Sequence, residues 1–363
     1  MLPSAGAFIA DHYKMIKQET DSKVLIPRPI AFPFTRRKKL NTSRPLHHTD
    51  SKVIPFLSLP RRKLPRLMKW DLNRKVIPKI KELRPNLVHI HWAYPDALLV
   101  DECKKNGWPV VVSVHGGDWY QNVNHKVRGG LMRDALRQTD RVLVVGYRLR
   151  SDIIKHIPEL EDRIEVLHNP IDTEFFKPED GKKKSAKTRV LCIANIRPEK
   201  GIDVLLDAIE KLPDPEKYEF NLIGHSTPLP YYQQQLQRIK ELDPVVKLHS
   251  PVPHREVLSW YHQSDFFVLP SRKEGFGIAL AEAAACGLPV IGTRSGGPED
   301  IITPENGLLV EPEDPGALSE AISSLRGALH KYDPLLVRHS IVSRFDRQII
   351  RKQLMGIYRS LTL

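Results

Sequence analysis

Two glutamates eight positions apart, Glu274 and Glu282, are the residues whose types and spacing most clearly suggest chemistry. They lie in the stretch SRKEGFGIALAEAAACGLPV. The alanines around Glu282 predict a helix that begins at Ile278, and the glycines before it predict a loop. Such a junction directs the first N–H groups of the helix, at Gly277, Ile278 and Ala279, toward an anion, and a diphosphate fits well there.

The two glutamates are expected to contact neutral groups, because carboxylates and phosphates repel each other. Vicinal hydroxyls are good partners for a carboxylate, which accepts two hydrogen bonds side by side. Glu282 is therefore expected to bind a ribose diol, and Glu274, with Gly275 and Phe276 in the loop, to face the group beyond the diphosphate. For a lone glutamate, a local salt bridge on an amphipathic helix would be the more ordinary interpretation.

Short apolar runs alternate with helix-length segments along the chain, as βαβ units require. The runs are Leu87–His91, Val110–Gly116, Arg141–Gly146, Ile164–Asn169, Arg189–Ile196, Tyr218–Gly224, Val246–Ser250, Asp265–Ser271, Pro289–Thr293 and Asn306–Pro312. The polar segment 169–188 predicts an interdomain linker. The expected fold class is α/β, with two doubly wound, Rossmann-like parallel-sheet domains facing a cleft.

The predicted domains are residues 1–170 and 171–344, followed by a C-terminal helix within 345–363. The last helix is predicted from Phe345 to Tyr358 by its apolar spacing. Gly6 lies in the short stretch SAGA near the start of the chain, and no strand-like run comes before it.

Composition places the chain among ordinary globular proteins, since 41% of its 363 residues are hydrophobic and 27% are charged. It contains no apolar run long enough to span a membrane, and its start does not resemble a signal peptide. The three cysteines, Cys103, Cys192 and Cys286, are expected to be buried free thiols. We therefore expect a cytoplasmic protein.

Positive charge is concentrated in the first half, where Arg36–Lys81 contains 15 basic and two acidic residues. A solvated basic face is one interpretation. The alternative is a surface that rests on anionic lipid at the inner face of the membrane. Its apolar residues would be Phe56, Leu57, Leu64, Leu67, Met68 and Trp70. Nucleic acid is the least favoured partner, because no stacking-aromatic or helix-turn-helix pattern accompanies the charge.

The glutamate stretch and the segments around it resemble the retaining glycosyltransferases of family 4, whose fold is called GT-B. The family pattern places two glutamates around Gly-Phe-Gly as in this chain, and GTRSGGPEDII continues the match with Gly296, Gly297 and Glu299. NIRPEKGIDVLLDAI resembles the phosphate-binding segment, while HIHWAYPDA and VVVSVHGGD resemble acceptor-side segments. The resemblance runs from about Leu87 to the end of the chain.

The resemblance implies a hexosyltransferase of the EC 2.4 class that moves a sugar, with retention, from a nucleoside diphosphate sugar to a glycan or lipid-linked acceptor. Synthesis of cell-surface polysaccharide is the expected context. Neither a cofactor nor a metal is expected, because cationic side chains take the place of the metal. The last helix is expected to return to the first domain.

The resemblance also implies roles for individual residues. His115, Glu274 and Lys200 are the implied catalytic residues, and Arg197 joins Lys200 at the diphosphate. The acceptor side is expected to include Gly6, His91 and Asp118.

Two departures from the family leave other functions open. Asn195 stands where the family has an arginine, and no first strand is evident. The alternatives are a catalytically weak or inactive nucleotide-sugar-binding protein, and a phosphorylase of the same fold. His89 and His91 share one strand face, but two imidazoles without a third ligand give little support to a metal site.

Overall fold

The structure, a computed structural model, describes residues 7–30, 51–58, 64–179, 185–224 and 230–362. The chain divides into two compact units. We call Ala5–His168 together with Ile350–Leu363 the N-terminal unit, and Asn169–Ile349 the C-terminal unit. Gly6 and the residues before it lie outside the described residues.

The N-terminal unit contains a two-stranded and a four-stranded sheet, both parallel. The two-stranded sheet is formed by β1 (Val24–Ile30) and β2 (Ser51–Leu57), with Val24 opposite Ser51. The larger sheet has the order β3-β4-β5-β6. Its strands are β3 (Val88–His91), β4 (Val110–Val114), β5 (Arg141–Val144) and β6 (Ile164–Val166). All five residues of β4 are buried, as expected of a parallel strand covered on both faces.

Helices connect these strands, as the alternating pattern predicted. They are α1 (Ala7–Ile16), α2 (Pro65–Leu83), α3 (Val100–Lys105), α4 (Gly117–Tyr120), α5 (Lys126–Gln138) and α6 (Tyr147–His156).

The C-terminal unit is built on a six-stranded parallel sheet of order β12-β11-β10-β7-β8-β9. Its strands are β7 (Thr188–Ile193), β8 (Tyr218–Ile223), β9 (Val246–His249), β10 (Phe266–Leu269), β11 (Val290–Thr293) and β12 (Gly307–Val310). The strand order reverses at β7 and β10, which is where open α/β sheets bind ligands.

Eight helices of the described chain follow β7. They are α7 (Ile202–Glu210), α8 (Pro230–Glu241), α9 (Val257–Gln263), α10 (Ile278–Ala285), α11 (Pro298–Ile301), α12 (Pro315–Ala328), α13 (Pro334–Phe345) and α14 (Arg347–Thr362). The two Rossmann-like parallel sheets confirm the predicted fold class.

The last helix begins later than predicted. Phe345 ends α13, and Asp346 adopts an extended conformation that interrupts the helical run. The Asp346 carboxylate then accepts a hydrogen bond from the Gln348 N–H at the start of α14. The predicted return of the helix to the first domain is confirmed. Its buried residues join a core cluster of the N-terminal unit, composed of Met15, Ile16, Val111, Leu143, Leu167, Ile350, Leu354 and Met355.

The structure corrects part of the expected lipid surface. Phe56 lies in β2 and is fully buried, and Met68 on α2 is 3% exposed. Neither can enter a membrane while the unit is folded. Leu64, Leu67 and Trp70 are exposed, so an apolar strip remains at the start of α2. Part of the basic region, including Arg61, Arg62 and Lys63, lies outside the described residues.

The buried side chain of Asp71 on α2 is hydrogen-bonded to the backbone of β2. Asp71 accepts a 2.7 Å hydrogen bond from the Leu57 N–H and pairs with Lys75 at 3.0 Å and Arg74 at 3.1 Å. Among the helices described, none is long and apolar enough to cross a membrane. The three cysteines are buried and unpaired, as predicted.

Candidate active site

The glutamate stretch forms a strand–loop–helix junction in the C-terminal unit, as the sequence predicted. The strand β10 is fully buried, and α10 begins at Ile278 directly after Gly277. Gly277 has φ +99°, a conformation that glycine adopts without strain. Among the described residues, no side chain caps this helix end. Its first N–H groups, which lack partners within the helix, are therefore available to an anion.

Lys200 and Glu274 meet at this junction, although they are 74 positions apart. The Lys200 ammonium lies 2.5 Å from Glu274 Oε2, and Ser271 Oγ donates to the same oxygen at 3.2 Å. Lys200 ends a short 3₁₀ turn, Pro198–Lys200, that follows β7. A cation and a carboxylate thus lie at the carboxyl ends of adjacent strands, beside the helix terminus.

Arg272 links the Pro198–Lys200 turn to the loop that carries Glu274. Its guanidinium forms two 2.8 Å hydrogen bonds with the Asp203 carboxylate and a third, of 2.7 Å, with the Pro198 carbonyl. A 2.8 Å ion pair with Glu313 raises the number of its partners to three. These interactions raise the pKa of Arg272 further and fix the position of Lys200 relative to Glu274.

The Gly296-Gly297 segment supports Glu274 from the other side. The Glu274 N–H donates to the Ser295 carbonyl at 3.1 Å, and the Gly297 N–H donates to the Glu274 carbonyl at 2.9 Å. Glu299 in turn accepts from the Gly296 N–H at 2.7 Å. A Cβ atom on Gly297 would lie 2.2 Å from the Phe276 backbone, so only glycine allows this close approach.

Glu282 lies on the inner side of α10 and is 5% exposed. Tyr261 O–H lies 3.0 Å from Glu282 Oε2, and His254 Nε2 lies 2.8 Å from Oε1. Burial and the nearby Glu282 carboxylate raise the pKa of Tyr261 well above its usual range. The hydroxyl therefore stays protonated and serves as a donor.

The cations expected beside the diphosphate differ in their surroundings. Arg197 is exposed at the start of the Pro198–Lys200 turn, whereas Lys200 is partly buried. Asn195, at the position of the family arginine, supplies no charge. In the part of this unit that the structure describes, Lys200 is the cation that pairs with Glu274.

In the N-terminal unit, four histidines gather at the carboxyl ends of β3 and β4. His89 and His91 stack with 4.4 Å between ring centroids, which confirms that they share one face of β3. His91 Nδ1 lies 3.2 Å from His115 Nε2, and His12 of α1 lies against His91 with 5.5 Å between centroids. His89 also hydrogen-bonds Tyr358 on α14, at 2.5 Å. This histidine cluster comprises His12, His89, His91 and His115.

Burial keeps the histidine cluster neutral. Desolvation lowers the pKa of His12 to about 4. Desolvation and the electrostatic effect of His12 lower the pKa of His89 to about 3. Desolvation and the neighbouring histidines of the cluster lower the pKa values of His91 and His115 well below the usual range. At neutral pH these rings carry no charge, and His89, His91 and His115 form hydrogen bonds as neutral rings.

Asp118 contacts main chain in this structure. Its carboxylate accepts hydrogen bonds from the N–H groups of Ala93 and His115, the latter at 3.0 Å, and burial raises its pKa to about 6. Asp118 therefore holds the backbone of His115 rather than its ring. No group of three or more His, Cys, Asp or Glu residues in the described ranges is arranged to bind a metal ion.

Family models account for most of the chain. The model described as "Glycosyl transferases group 1" matches residues 187–327, and that described as "Glycosyltransferase Family 4" matches residues 29–175. The chain is also 30% identical over 290 residues to N-acetyl-alpha-D-glucosaminyl L-malate synthase of Bacillus anthracis, covering 75% of this chain and 74% of that protein. The chain belongs to the glycosyltransferases of family 4.

Another relative of this glycosyltransferase is matched over more of its length. The putative teichuronic acid biosynthesis glycosyltransferase TuaC of Bacillus subtilis is 27% identical over 349 residues, covering 89% of this chain and 85% of TuaC. Several other curated relatives are matched over less than two thirds of their length, from 43% to 65%.

Solved structures agree with the GT-B fold of this glycosyltransferase. Anabaena HepE, in complex with UDP and glucose, superimposes with a TM-score of 0.76, covering 99% of this chain and 96% of that chain. The two sequences are 19% identical, so this similarity concerns the fold.

Sequence reasoning missed several contacts in each unit. Arg272, Tyr261 and His254 in the C-terminal unit, and His12 in the N-terminal unit, lie outside the glutamate and glycine pattern, and the fold brings each to its partner. Arg272 is two positions before Glu274, so its adjacency to the motif is the one signal that could have drawn attention to it.

Proposed function

We propose that this glycosyltransferase transfers a sugar from a nucleoside diphosphate sugar to an acceptor hydroxyl, with retention at the anomeric carbon. The observation that carries the proposal is the junction of Lys200, Glu274 and the uncapped start of α10, with Glu282 one turn further on. Its components match a ligand made of sugar, diphosphate and ribose. HepE, which has the same fold, binds UDP and glucose.

The diphosphate binds at the start of α10 in this proposal. Negative charge on the leaving phosphate grows as the sugar–oxygen bond breaks, and donors fixed in advance lower the barrier for that step. The N–H groups of Ile278 and Ala279 and the Lys200 ammonium are such donors, and Arg197 can approach from solvent. These positive groups perform the task for which other transferases use a metal ion.

Glu274 and Lys200 form an ion pair. When a donor diphosphate binds, Lys200 gains a second anionic partner, and Glu274 is available to accept sugar hydroxyls. The acceptor hydroxyl attacks from the side on which the diphosphate departs and passes its proton to that phosphate. No protein nucleophile takes part in this scheme.

For the acceptor we propose a glycan or lipid-linked glycan of cell-surface polysaccharide, with Gly6, His91 and Asp118 on the acceptor side and His115 facing the donor sugar. Two observations support it. TuaC is named for teichuronic acid biosynthesis, and exposed apolar residues accompany basic side chains at the start of α2. We further propose that this region rests on the anionic inner face of the membrane, where each basic residue contributes about 1 kcal/mol.

Vesicle sedimentation tests the membrane proposal. The protein should sediment with anionic vesicles and remain in solution with neutral ones, and salt should weaken the association. Replacing Arg61, Arg62, Lys63 and Arg66 by Glu should abolish it. The matched control carries four charge reversals in the C-terminal unit, at Lys211, Lys217, Lys240 and Lys331, and should still sediment. Equal partition between the two vesicle types would refute a lipid-binding role.

Donor turnover tests the transferase proposal. A panel of UDP-, ADP- and GDP-sugars is incubated with the protein, and release of the nucleoside diphosphate is followed. One class should be hydrolysed slowly in the absence of acceptor. Lys200→Ala should reduce this turnover by roughly 10- to 100-fold while weakening donor binding less, because the charge grows in the transition state. The control Lys211→Ala removes an exposed lysine of the same unit.

Two observations favour a second function, that of a nucleotide-sugar-binding protein without turnover. Asn195 replaces a cation, and Lys200 is already neutralised by Glu274. Donor binding with no release of nucleoside diphosphate, even with a lipid-linked acceptor, would support this alternative. Cleavage that depends on inorganic phosphate would instead indicate a phosphorylase.

A further inference from the structure

The carboxylate of Glu282 is buried, so its charge requires hydrogen-bond donors inside the protein. In the described chain two side chains supply them: Tyr261 at Oε2 and His254 at Oε1. A carboxylate has about four lone-pair sites, and each of the two oxygens retains one when these two donors are bound. The two remaining sites are the number that a vicinal diol needs.

The two donors are not equivalent. Tyr261 O–H lies 3.1 Å from the Ala279 carbonyl and 3.0 Å from Glu282, and its one hydrogen can serve one acceptor at a time. His254 Nε2 makes a 2.8 Å contact with Glu282. His254 is thus the donor whose hydrogen is committed to the Glu282 carboxylate.

His254 is held in place by packing as well. It lies in a short 3₁₀ turn, His254–Glu256, after β9, and its side chain is 44% exposed. The edge of its ring meets Phe176 with 5.3 Å between centroids, and Phe176 also packs against Tyr261. The ring therefore reaches a buried carboxylate from the surface, with its orientation set by a buried aromatic residue.

We propose that His254 is a positioning residue that orients the Glu282 carboxylate for the ribose diol of the donor. It rests on the proposed function, in which Glu282 binds that diol. Without the His254 N–H, the carboxylate rotates toward Tyr261 and no longer presents one lone pair of each oxygen to the two hydroxyls. His254 thereby determines how strongly the site distinguishes ribose from deoxyribose, although it contacts neither.

The test compares UDP with 2′-deoxy-UDP by titration calorimetry, and uses the ADP and GDP pairs if UDP does not bind. The wild type should prefer the ribonucleotide by roughly tenfold or more, since a site built for a hydroxyl rejects the analogue without it. His254→Phe keeps an aromatic ring against Phe176 but removes the donor, and should reduce the preference to less than about threefold. His254→Gln keeps an N–H near the same place and should restore it.

Two further variants separate positioning from general damage. Glu282→Gln should abolish the preference, and adding His254→Phe to it should cause no further loss, because both changes act on one interaction. His262→Phe is the matched control. The His262 ring hydrogen-bonds the Lys177 carbonyl in the same unit, so this variant should leave the preference for the ribonucleotide unchanged. Unchanged affinity for the deoxynucleotide would show that His254→Phe is folded. If it does not fold, His254→Ala takes its place, and the same loss of ribonucleotide preference is expected.

The possible outcomes distinguish this proposal from the one on which it rests. A wild-type preference that survives His254→Phe overturns the positioning role and leaves the transferase proposal intact. A wild type that shows no preference, or binds none of the three nucleotides, overturns the assignment of Glu282 to the ribose. The His254 proposal then falls with it.

Discussion

Replacing His12 by leucine should remove the part of the acid sensitivity of the N-terminal unit that His12 contributes. His12 is 4% exposed, and neither ring nitrogen has a hydrogen-bond partner among the described residues. Burial lowers its pKa from 6.5 to about 4. The unfolded chain therefore binds the proton more tightly than the folded one, and stability is lost as pH falls below 6.5.

The magnitude follows from the two pKa values. A shift of this size corresponds to about 3 kcal/mol when pH passes from well above 6.5 to well below 4, and most of it is lost between pH 7.5 and pH 4.5. Leucine does not titrate, so the variant should gain this amount relative to the wild type over that range. Asp118, whose raised pKa gives the opposite slope, contributes equally to both proteins.

Urea unfolding followed by tryptophan fluorescence measures this difference, because the N-terminal unit contains four of the five tryptophans, Trp70, Trp92, Trp108 and Trp119. The stability difference between His12→Leu and the wild type should widen steadily from pH 7.5 to pH 4.5. His330→Leu, at an exposed position, should show no such widening. Parallel stability curves for His12→Leu and the wild type would refute the buried, neutral histidine cluster.

Two further predictions concern packing at the site and at the end of the chain. Gly297→Ala should weaken nucleotide-sugar binding at least tenfold, because the added Cβ would displace the Phe276 backbone. Gly327→Ala, where a Cβ meets nothing within 4 Å, is the control and should bind normally in the same titration. Normal binding by Gly297→Ala would contradict the close approach of Gly297 to Phe276. Leu354→Ala should destabilise the N-terminal unit by about 2–5 kcal/mol through the cavity it leaves in the core cluster, as measured by urea unfolding. Lys352→Ala, exposed on the same helix, is the control, and equal stabilities of the two variants would show that α14 does not pack there.

The sequence was informative where structure depends on near neighbours. The loop and helix around Glu274 and Glu282 follow from glycines and alanines a few positions apart, and the apolar runs gave the parallel strands. By contrast, β1 and β2 escaped prediction, because prolines such as Pro27, Pro29 and Pro55 are unfavourable in strands.

Contacts between distant positions could not be derived in this way. No local pattern shows that His254 reaches Glu282 across 28 positions, or that Lys200 and Glu274 form an ion pair. For the same reason the predicted membrane contact of Phe56 was wrong. Its sequence neighbours are basic and apolar, but its side chain is fully buried in β2. Partners of this kind are set by the order of strands in the sheet, which the amino-acid pattern leaves open.

The anomeric configuration of the sugar released by slow hydrolysis tests the central claim most directly. An α-linked nucleoside diphosphate sugar, chosen from the panel, is incubated with the protein and followed by proton NMR before the free sugar equilibrates. The account predicts that the α-anomer appears first, at a rate that falls strongly in Lys200→Ala. Initial release of the β-anomer, or a rate unaffected by Lys200→Ala, would contradict retaining transfer at the junction of β10 and α10.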